Sequence, residues 1–244
     1  MQSAPTTRLY LQDDYCFESE AMVIAIRVNE IAFDKTCYYP GGGGQPADDG
    51  YIILPGGEEI KVKSAHVDKN QVIWHVCESI LGEGLLHQVV GLRINRERRI
   101  TLASYHTVLH VLNSITLRDY GGWITGVQIG EDHSRIDFNL EDFSAAMIPE
   151  LEDKVNTVLR SGHRLRSYYI AEDEFHRRED LLRTLDVKPP VIDGQVRVVE
   201  IEGFDAQACG GTHVDNTADV GHFTIYRTDN KGRKNKRLYV RLRK

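Results

Sequence analysis

Apolar and polar positions divide the chain into a strand-rich first part and a mixed second part. Over residues 1–93, short apolar runs such as AMVIAI and QVIWHV alternate with turn signals such as the end of GYIILPGG. No long helical period appears there, and closely spaced short strands favour a small β-barrel. The polar, basic stretch RINRERR follows. We therefore expect one domain over residues 1–93 and a second over residues 94–244.

The second part mixes helices and strands. Leu102, Tyr105, Leu109 and Leu112 recur at helical spacing, and a glycine follows as a stop. A second helix is expected over residues 144–161, and a short third one in DEFHRREDLLRT. Strands return in QVRVVEI, GHFTIYR and RLYVRLR. Without a regular βαβ rhythm, this order predicts an α+β fold in which the small barrel precedes an α+β domain with an antiparallel sheet.

Composition excludes several classes of protein. The 244 residues are 41% hydrophobic and 27% charged, which is typical of an ordinary soluble domain. No apolar run is long enough to span a membrane, and we find no secretory signal. Cys16, Cys37, Cys77 and Cys209 lie far apart, which argues against a disulfide framework. A cytoplasmic protein is the expectation.

The net charge of −6 does not suggest a nucleic-acid binder, but the distribution of charge changes that picture. Residues 231–244, KGRKNKRLYVRLRK, contain eight basic residues and no acidic one. Such a run is either a solvated edge strand, protected from aggregation by its charge, or a surface for phosphates. The candidate phosphate contacts are Lys231, Arg233, Lys234, Lys236 and Arg237.

Two short motifs contain metal-ligand residues. His106 and His110 are four residues apart in the first predicted helix, so both imidazoles share one helical face. The segment CGGTH separates Cys209 from His213 by two glycines and a threonine. Three imidazoles and one thiolate form a donor set that suits tetrahedral zinc. Four protein ligands close a tetrahedron, so a structural and a catalytic role both stay open.

HTVLH, followed a hundred residues later by VRVVEIEGFDAQACGGTHVDNTADVGHFTIYR, resembles the editing domain of alanyl-tRNA synthetases and its free-standing relatives, the AlaX proteins. The earlier CYYPGGGGQPADDG resembles the glycine-rich segment of the barrel that precedes this domain. The similarity extends over nearly the whole chain and is to the medium-length, stand-alone form.

The resemblance implies hydrolysis of the ester that joins a wrong amino acid, chiefly serine and also glycine, to tRNA(Ala). It implies that the four motif residues bind Zn²⁺. It also implies substrate contacts, for which the candidates are Thr125, Gln128, Gly42, Gly43, Gly44 and Gln45. The glycine run alone is equally explained as a barrel turn. The same resemblance favours tRNA as the partner of the basic run.

No side chain stands out as a general base. Glu131, Asp132 and His133 follow the candidate substrate segment, but ordinary surface positions explain them better. Two other functions remain open: a zinc-pinned tRNA-binding module without catalysis, and a metallohydrolase of a small ester or amide. The sequence does not indicate an oligomeric state.

Overall fold

The structure is a computed structural model that describes residues 4–141, 143–184, 189–232 and 234–243. These residues form two compact units. The first comprises the described residues up to Gly42 together with Pro46–Ile100. The second comprises Gly43–Gln45 and the described residues from Thr101 onward. Division into domains at residues 1–93 and 94–244 stays a prediction.

The first unit is built around a closed, six-stranded antiparallel barrel with the strand order β2-β3-β7-β6-β5-β8. Inward-facing residues alternate along its strands, as in β8, where Val90, Leu92 and Ile94 are buried. The strands of this unit are β1 (Thr7–Arg8), β2 (Glu18–Arg27), β3 (Glu30–Phe33), β4 (Lys35–Thr36), β5 (Gly50–Ile53), β6 (Glu59–Val67), β7 (Ile73–Cys77) and β8 (Val89–Ile94).

The second unit contains two antiparallel sheets, ordered β15-β16-β10-β9 and β11-β13-β12, with β14 also paired to β13. Its strands are β9 (Trp123–Gln128), β10 (Ser134–Asn139), β11 (Leu165–Ala171), β12 (Val191–Ile192), β13 (Gln195–Ile201), β14 (Asp205–Ala208), β15 (His222–Asn230) and β16 (Asn235–Arg243). The α-helices within the described residues are α1 (Arg96–Tyr120), α2 (Ile148–Arg160) and α3 (Glu172–Phe175). This architecture confirms the predicted α+β fold.

Helix α1 is longer than its apolar period indicated, because its first turn is polar. Asn95 precedes that turn, and its side-chain oxygen accepts a hydrogen bond from the backbone N–H of Arg98 at 3.2 Å, which caps the helix. From Leu102 to Thr116 every residue is buried. The helix is therefore enclosed on all sides, and its polar side chains need partners inside the protein.

Helix α2 is amphipathic and packs on β15. Leu151, Val155 and Leu159 are buried in the core of the second unit. Asn156 on the same face exchanges two hydrogen bonds of 2.9 Å with the backbone of Phe223. The helix begins later than predicted, at Ile148, because residues 145–147 form a 3₁₀ turn. The third predicted helix is reduced to α3 and a separate 3₁₀ turn.

The basic run forms an interior strand. β16 pairs with β15 on one side and with β10 on the other, so the interpretation of this run as an edge strand is wrong. Alternate residues such as Leu238 and Val240 are fully buried, which a charged edge strand would not require. Among the described helices, none has the length and apolar character needed to cross a membrane.

Candidate metal and substrate site

Helix α1 holds the first pair of candidate ligands. His106 and His110 are 6% and 7% exposed, and their ring centroids lie 5.0 Å apart. One turn of helix separates them, so a rigid element fixes the spacing of the two imidazoles.

The second pair comes from the loop after β14. Cys209 and His213 bracket this loop, whose backbone is held by the buried Arg197 of β13. The guanidinium Nη1 donates to the carbonyl of Gly211 at 2.8 Å and to that of Cys209 at 3.3 Å.

The two pairs converge. One donor atom from each of His106, His110, Cys209 and His213 lies within 4.8 Å of every other, so the four residues could hold a metal ion. The Cys209 Sγ lies 3.5 Å from Nε2 of His106 and 3.4 Å from Nε2 of His213. Residues about a hundred positions apart thus meet at one point, as the two motifs predicted.

Gln45 fixes the tautomer of His106. The backbone N–H of Thr212 donates to the Gln45 Oε1 at 3.1 Å, and the Gln45 Nε2 donates to the Thr212 hydroxyl at 2.8 Å, so the amide has one orientation. Its oxygen lies 2.9 Å from Nδ1 of His106. Because an amide oxygen only accepts, Nδ1 carries the proton and Nε2 presents a lone pair towards Cys209.

Thr107 of helix α1 supports His213 of the loop after β14. Its hydroxyl oxygen lies 3.1 Å from Nδ1 of His213 and accepts a hydrogen bond from the backbone N–H of Val214 at 3.3 Å. Sequence reasoning missed this residue, although it lies within HTVLH. A threonine next to a candidate ligand carries no signal until the fold brings the loop to it.

A buried polar network surrounds the backbone of His110. The Gln207 Nε2 donates to the His110 carbonyl at 3.0 Å and to the Asp205 carboxylate at 2.8 Å. Arg183 donates to the same carboxylate at 2.6 Å, and Asn113 donates to the Gln207 carbonyl oxygen at 2.9 Å. None of these residues was a sequence candidate. The signal for Asp205 and Gln207 was the alternation of polar and small residues in DAQA, whereas Asn113 and Arg183 lie outside that segment.

Burial keeps the three imidazoles neutral. It lowers the pKa of His110 to about 3, with added repulsion from Arg183 and Arg197. Burial, followed by repulsion from neighbouring groups, also lowers the pKa values of His106 and His213 well below the usual 6.5. Neutral imidazole is the form that binds a metal ion, so the site is ready for one at neutral pH.

The glycine-rich segment reaches strand β9. The Gly44 carbonyl accepts a hydrogen bond from the backbone N–H of Ile129 at 2.8 Å. A Cβ at Gly44 would lie 2.7 Å from the carbonyl oxygen of Val127, and its φ of +84° also favours glycine. Gly43 has open space around it, and the Gly42 carbonyl accepts from the Tyr39 hydroxyl at 2.9 Å.

Thr125 and Gln128 are exposed on β9. The Thr125 hydroxyl donates to the Asn235 side-chain oxygen at 3.1 Å, and the Gln128 side-chain oxygen accepts from Arg135 at 2.8 Å. The side-chain hydrogen-bond partners of Thr125 and Gln128 therefore belong to the β15-β16-β10-β9 sheet. The exposed Glu131, Asp132 and His133 follow β9.

Several of the residues predicted to contact phosphates form ion pairs or hydrogen bonds within the protein. Lys234 pairs with Glu141, and Arg237 binds Asp137 through two hydrogen bonds of 2.7 Å. Lys231 is exposed, and the Lys236 ammonium donates to the Asn230 side chain at 2.8 Å. Arg233 lies outside the described residues, as does Lys244 at the end of the run.

Comparison with known families adds to this geometry. Residues 196–239 match the second additional domain of threonyl- and alanyl-tRNA synthetases. Residues 7–98 match a family of class II (A) tRNA synthetases. The first match contains both ligand candidates of the loop, and the second contains the barrel strands.

Relatives match the chain over most of its length. The alanyl-tRNA editing protein AlaX-M of Saccharolobus solfataricus is 33% identical over 234 residues, covering 96% of this chain and 98% of its own. AlaX-M of Methanosarcina acetivorans is 35% identical, covering 97% and 99%. The alanine–tRNA ligase of Korarchaeum cryptofilum is 35% identical over 226 residues, which are 91% of this chain and 25% of the ligase. The resemblance inferred from HTVLH and CGGTH is confirmed: the chain belongs to the AlaX-M family of alanyl-tRNA editing proteins.

Proposed function

We propose that this protein is a zinc-dependent deacylase that hydrolyses the aminoacyl ester of mischarged tRNA(Ala), with Ser-tRNA(Ala) as its main substrate and Gly-tRNA(Ala) as a second one. One observation carries the proposal: four candidate ligands within 4.8 Å of one another in a chain of the AlaX-M family. The proposed site of this activity is the cytoplasm.

The donor set supports zinc. Zinc–nitrogen and zinc–sulfur bonds of about 2.0–2.3 Å at tetrahedral angles separate neighbouring ligand atoms by roughly 3.3–3.7 Å. The distances of 3.5 Å and 3.4 Å from the Cys209 sulfur to its two imidazole neighbours fit this range. The three imidazoles are neutral and buried, and the tautomer of His106 is fixed, all of which suit binding of zinc. His106, His110, Cys209 and His213 would hold the ion.

Each part of the site has a role in the proposed reaction. Zinc held there would supply Lewis-acid chemistry for an ester carbonyl, which requires a coordination position beyond the four protein ligands. Gln45 keeps the proton of His106 on Nδ1, and Arg197 holds the Cys209 loop by its carbonyls. The burial of the ligands limits the access of bulk water, which strengthens electrostatic interactions at the reacting ester. The general base stays unassigned.

Discrimination between serine and alanine requires a hydrogen bond to the serine hydroxyl. A pocket that only excludes larger side chains would admit alanine and destroy the correct product. Thr125 and Gln128 are proposed to read the hydroxyl, since Ile129, which follows β9, hydrogen-bonds Gly44, the neighbour of the site residue Gln45. A site that reads a hydroxyl can reject the analogue by up to ~10⁴–10⁵.

Thr125→Val and Gln128→Leu are therefore expected to reduce the ratio of deacylation rates for Ser-tRNA(Ala) and Ala-tRNA(Ala) by roughly tenfold or more. Timed deacylation of both substrates measures the ratio, and zinc content should stay constant. Thr7→Val, at an exposed position in the barrel unit, is the matched control. A wild-type ratio in both variants would mean that another group reads the hydroxyl.

Deacylation and tRNA-binding measurements together separate the proposal from its two alternatives. A zinc-pinned tRNA-binding module would bind tRNA without releasing the amino acid. A metallohydrolase of small esters or amides would turn over such compounds without salt-sensitive affinity for tRNA. Release of serine from Ser-tRNA(Ala) together with salt-sensitive binding supports only the deacylase.

The basic run gives a prediction on salt. Contacts from Lys231, Arg233, Lys234, Lys236 and Arg237 to phosphates are proposed to make tRNA affinity fall by about 0.7–0.9 log units per contact for each log unit of salt. Neutralising Lys234, Lys236 and Arg237 together should flatten that slope, measured by equilibrium binding between 50 and 200 mM salt, roughly the range in which such effects are large. Neutralising three cations of the α2–β11 region is the control: the half-buried Lys154 and the exposed Arg160 and Arg166. An unchanged slope in the test variant would exclude these phosphate contacts.

A further inference from the structure

The solvent face of the four-stranded sheet combines arginine and tyrosine side chains. Along β16, Leu238 and Val240 face the core, and the alternate positions Arg237, Tyr239 and Arg241 face outward. Arg243 continues the outward row. Four consecutive outward positions of one strand therefore hold three guanidinium groups and one aromatic ring.

Strand β15 places a second tyrosine beside this row. The register between β15 and β16 shifts between Ile225 and Arg227, so Tyr226 lies at a bulge and is 41% exposed. Its ring centroid lies 6.1 Å from that of Tyr239. The two rings form an aromatic pair on the solvent face, between the edge strand β15 and its neighbour β16.

Cations flank both rings. The Arg241 guanidinium lies 4.2 Å from the ring centroid of Tyr226, and that of Arg227 lies 4.9 Å from the centroid of Tyr239. Arg227 pairs directly with Tyr239 in the register of the two strands. Stacking on a ring holds each guanidinium in place. Arg227 donates from Nε and Nη2 to Asp229, so Arg241 is the stacked arginine whose N–H edge faces an incoming anion.

The charge of this face is opposite to that of the chain. Five arginines lie on it against two aspartates, Asp137 and Asp229, which leaves an excess of three positive charges on a protein whose formal charge is −6. The arginines are Arg135, Arg227, Arg237, Arg241 and Arg243. A local excess of this kind attracts a polyanion even when the whole protein is acidic.

The two aspartates neutralise only part of the row. Asp137 binds Arg237, and Asp229 binds Arg227 at 2.9 Å. Within the described residues, no carboxylate forms an ion pair with Arg241 or Arg243. On this face, the cations without an ion pair among the described residues are therefore Arg241 and Arg243 at the end of β16. Both belong to the basic run, but neither is one of its five candidate phosphate contacts.

We propose that the surface formed by Tyr226, Tyr239, Arg241 and Arg243 binds an RNA strand of the tRNA, with a nucleobase stacked on the tyrosine pair and phosphates held by the two arginines. Aromatic rings next to arginines bind unpaired nucleotides with little sequence preference, because every base has a π face. An acidic protein segment would use the arginines but would not depend on the rings. The inference rests on the proposed function only in taking tRNA as the partner.

The test measures the affinity of the full-length protein for an uncharged tRNA(Ala) transcript. Tyr226→Ala should weaken binding by roughly 5- to 150-fold, the range that one base–aromatic stack supports, and leave the salt dependence unchanged. Tyr226→Phe keeps the ring and should bind nearly as well as the wild type. Arg241→Gln should reduce the slope of log affinity against log salt by about 0.7–0.9.

Matched controls come from β11. Tyr169→Ala removes a tyrosine that is 42% exposed, and Arg166→Gln removes an exposed arginine. Neither should change tRNA affinity or its salt dependence. Circular dichroism and thermal unfolding establish that all variants are folded.

The outcomes distinguish this inference from the proposed function. If the wild type releases serine from Ser-tRNA(Ala) but Tyr226→Ala and Arg241→Gln keep its affinity, the sheet face is not the RNA surface. If Arg241→Gln weakens binding and Tyr226→Ala does not, the surface is a simple anion site and the stacking is excluded. If the wild type neither binds nor deacylates tRNA, the proposed function itself fails.

Discussion

His110→Ala is expected to lower the metal content of the purified protein from about one zinc per chain to below ~0.1. Removing His110 takes one of four donor atoms from a cluster whose members lie within 4.8 Å of one another. Losing an outer partner of a ligand already costs about 10–100-fold in affinity or activity, so losing a ligand should cost at least that much. Metal analysis and timed deacylation of Ser-tRNA(Ala) measure the two effects. His106→Ala should lower metal content and deacylation in the same way.

His176→Ala is the matched control for this prediction, because His176 is exposed at the end of α3. It should keep both metal and activity. Chelation of the wild type should also lower its thermal midpoint, since an ion that binds only the folded state stabilises it by mass action. Wild-type protein that is fully active without stoichiometric metal would contradict zinc dependence.

Gly211→Ala is expected to disrupt the metal site although it removes no ligand. A Cβ at Gly211 would lie 2.5 Å from Nδ1 of His106, closer still to its Cε1, and 3.0 Å from the Gln45 Oε1. Since real Cβ atoms do not approach so closely, the His106 ring or the loop must move, and the bond between His106 and Gln45 would break. We expect metal affinity to fall by about 10–100-fold or more, as for loss of an outer partner.

Gly56→Ala provides the control for the added methyl group, because a Cβ at Gly56 meets nothing within 4 Å. It should leave metal content and deacylation unchanged. Zinc titration of the metal-free protein gives the affinities directly and does not depend on activity. Wild-type affinity in Gly211→Ala would show that the loop and the His106 ring do not pack as described.

Local patterns were sufficient for the general architecture. Short apolar runs with turn signals predicted a barrel, and the order of helices and strands predicted an α+β fold; both are confirmed. The limits of the helices were less accurate, because the caps and the polar first turn of α1 follow short-range hydrogen bonds that an apolar period does not register. Arg99 illustrates this limit: it lies in the basic stretch RINRERR but is only 1% exposed.

The candidate metal site was likewise predictable only in part from the sequence. Spacing within HTVLH and CGGTH identified the four candidate donors, because helical geometry and a short glycine loop bring each pair together locally. The partners that orient them, Gln45 and Thr107, come from distant contacts with Thr212 and His213. The zinc ion, the substrate contacts and the phosphate contacts stay predictions.

By itself, the sequence determined which residues could bind a metal and where a basic surface could form. Tertiary structure decided that the basic run is an interior strand, and that its alternate residues face solvent beside Tyr226 of β15. The physical reason is that the sequence of one strand does not specify which strands pair with it or which of its two faces packs against the core. Residues that are adjacent in sequence then separate, and residues of different strands form one surface.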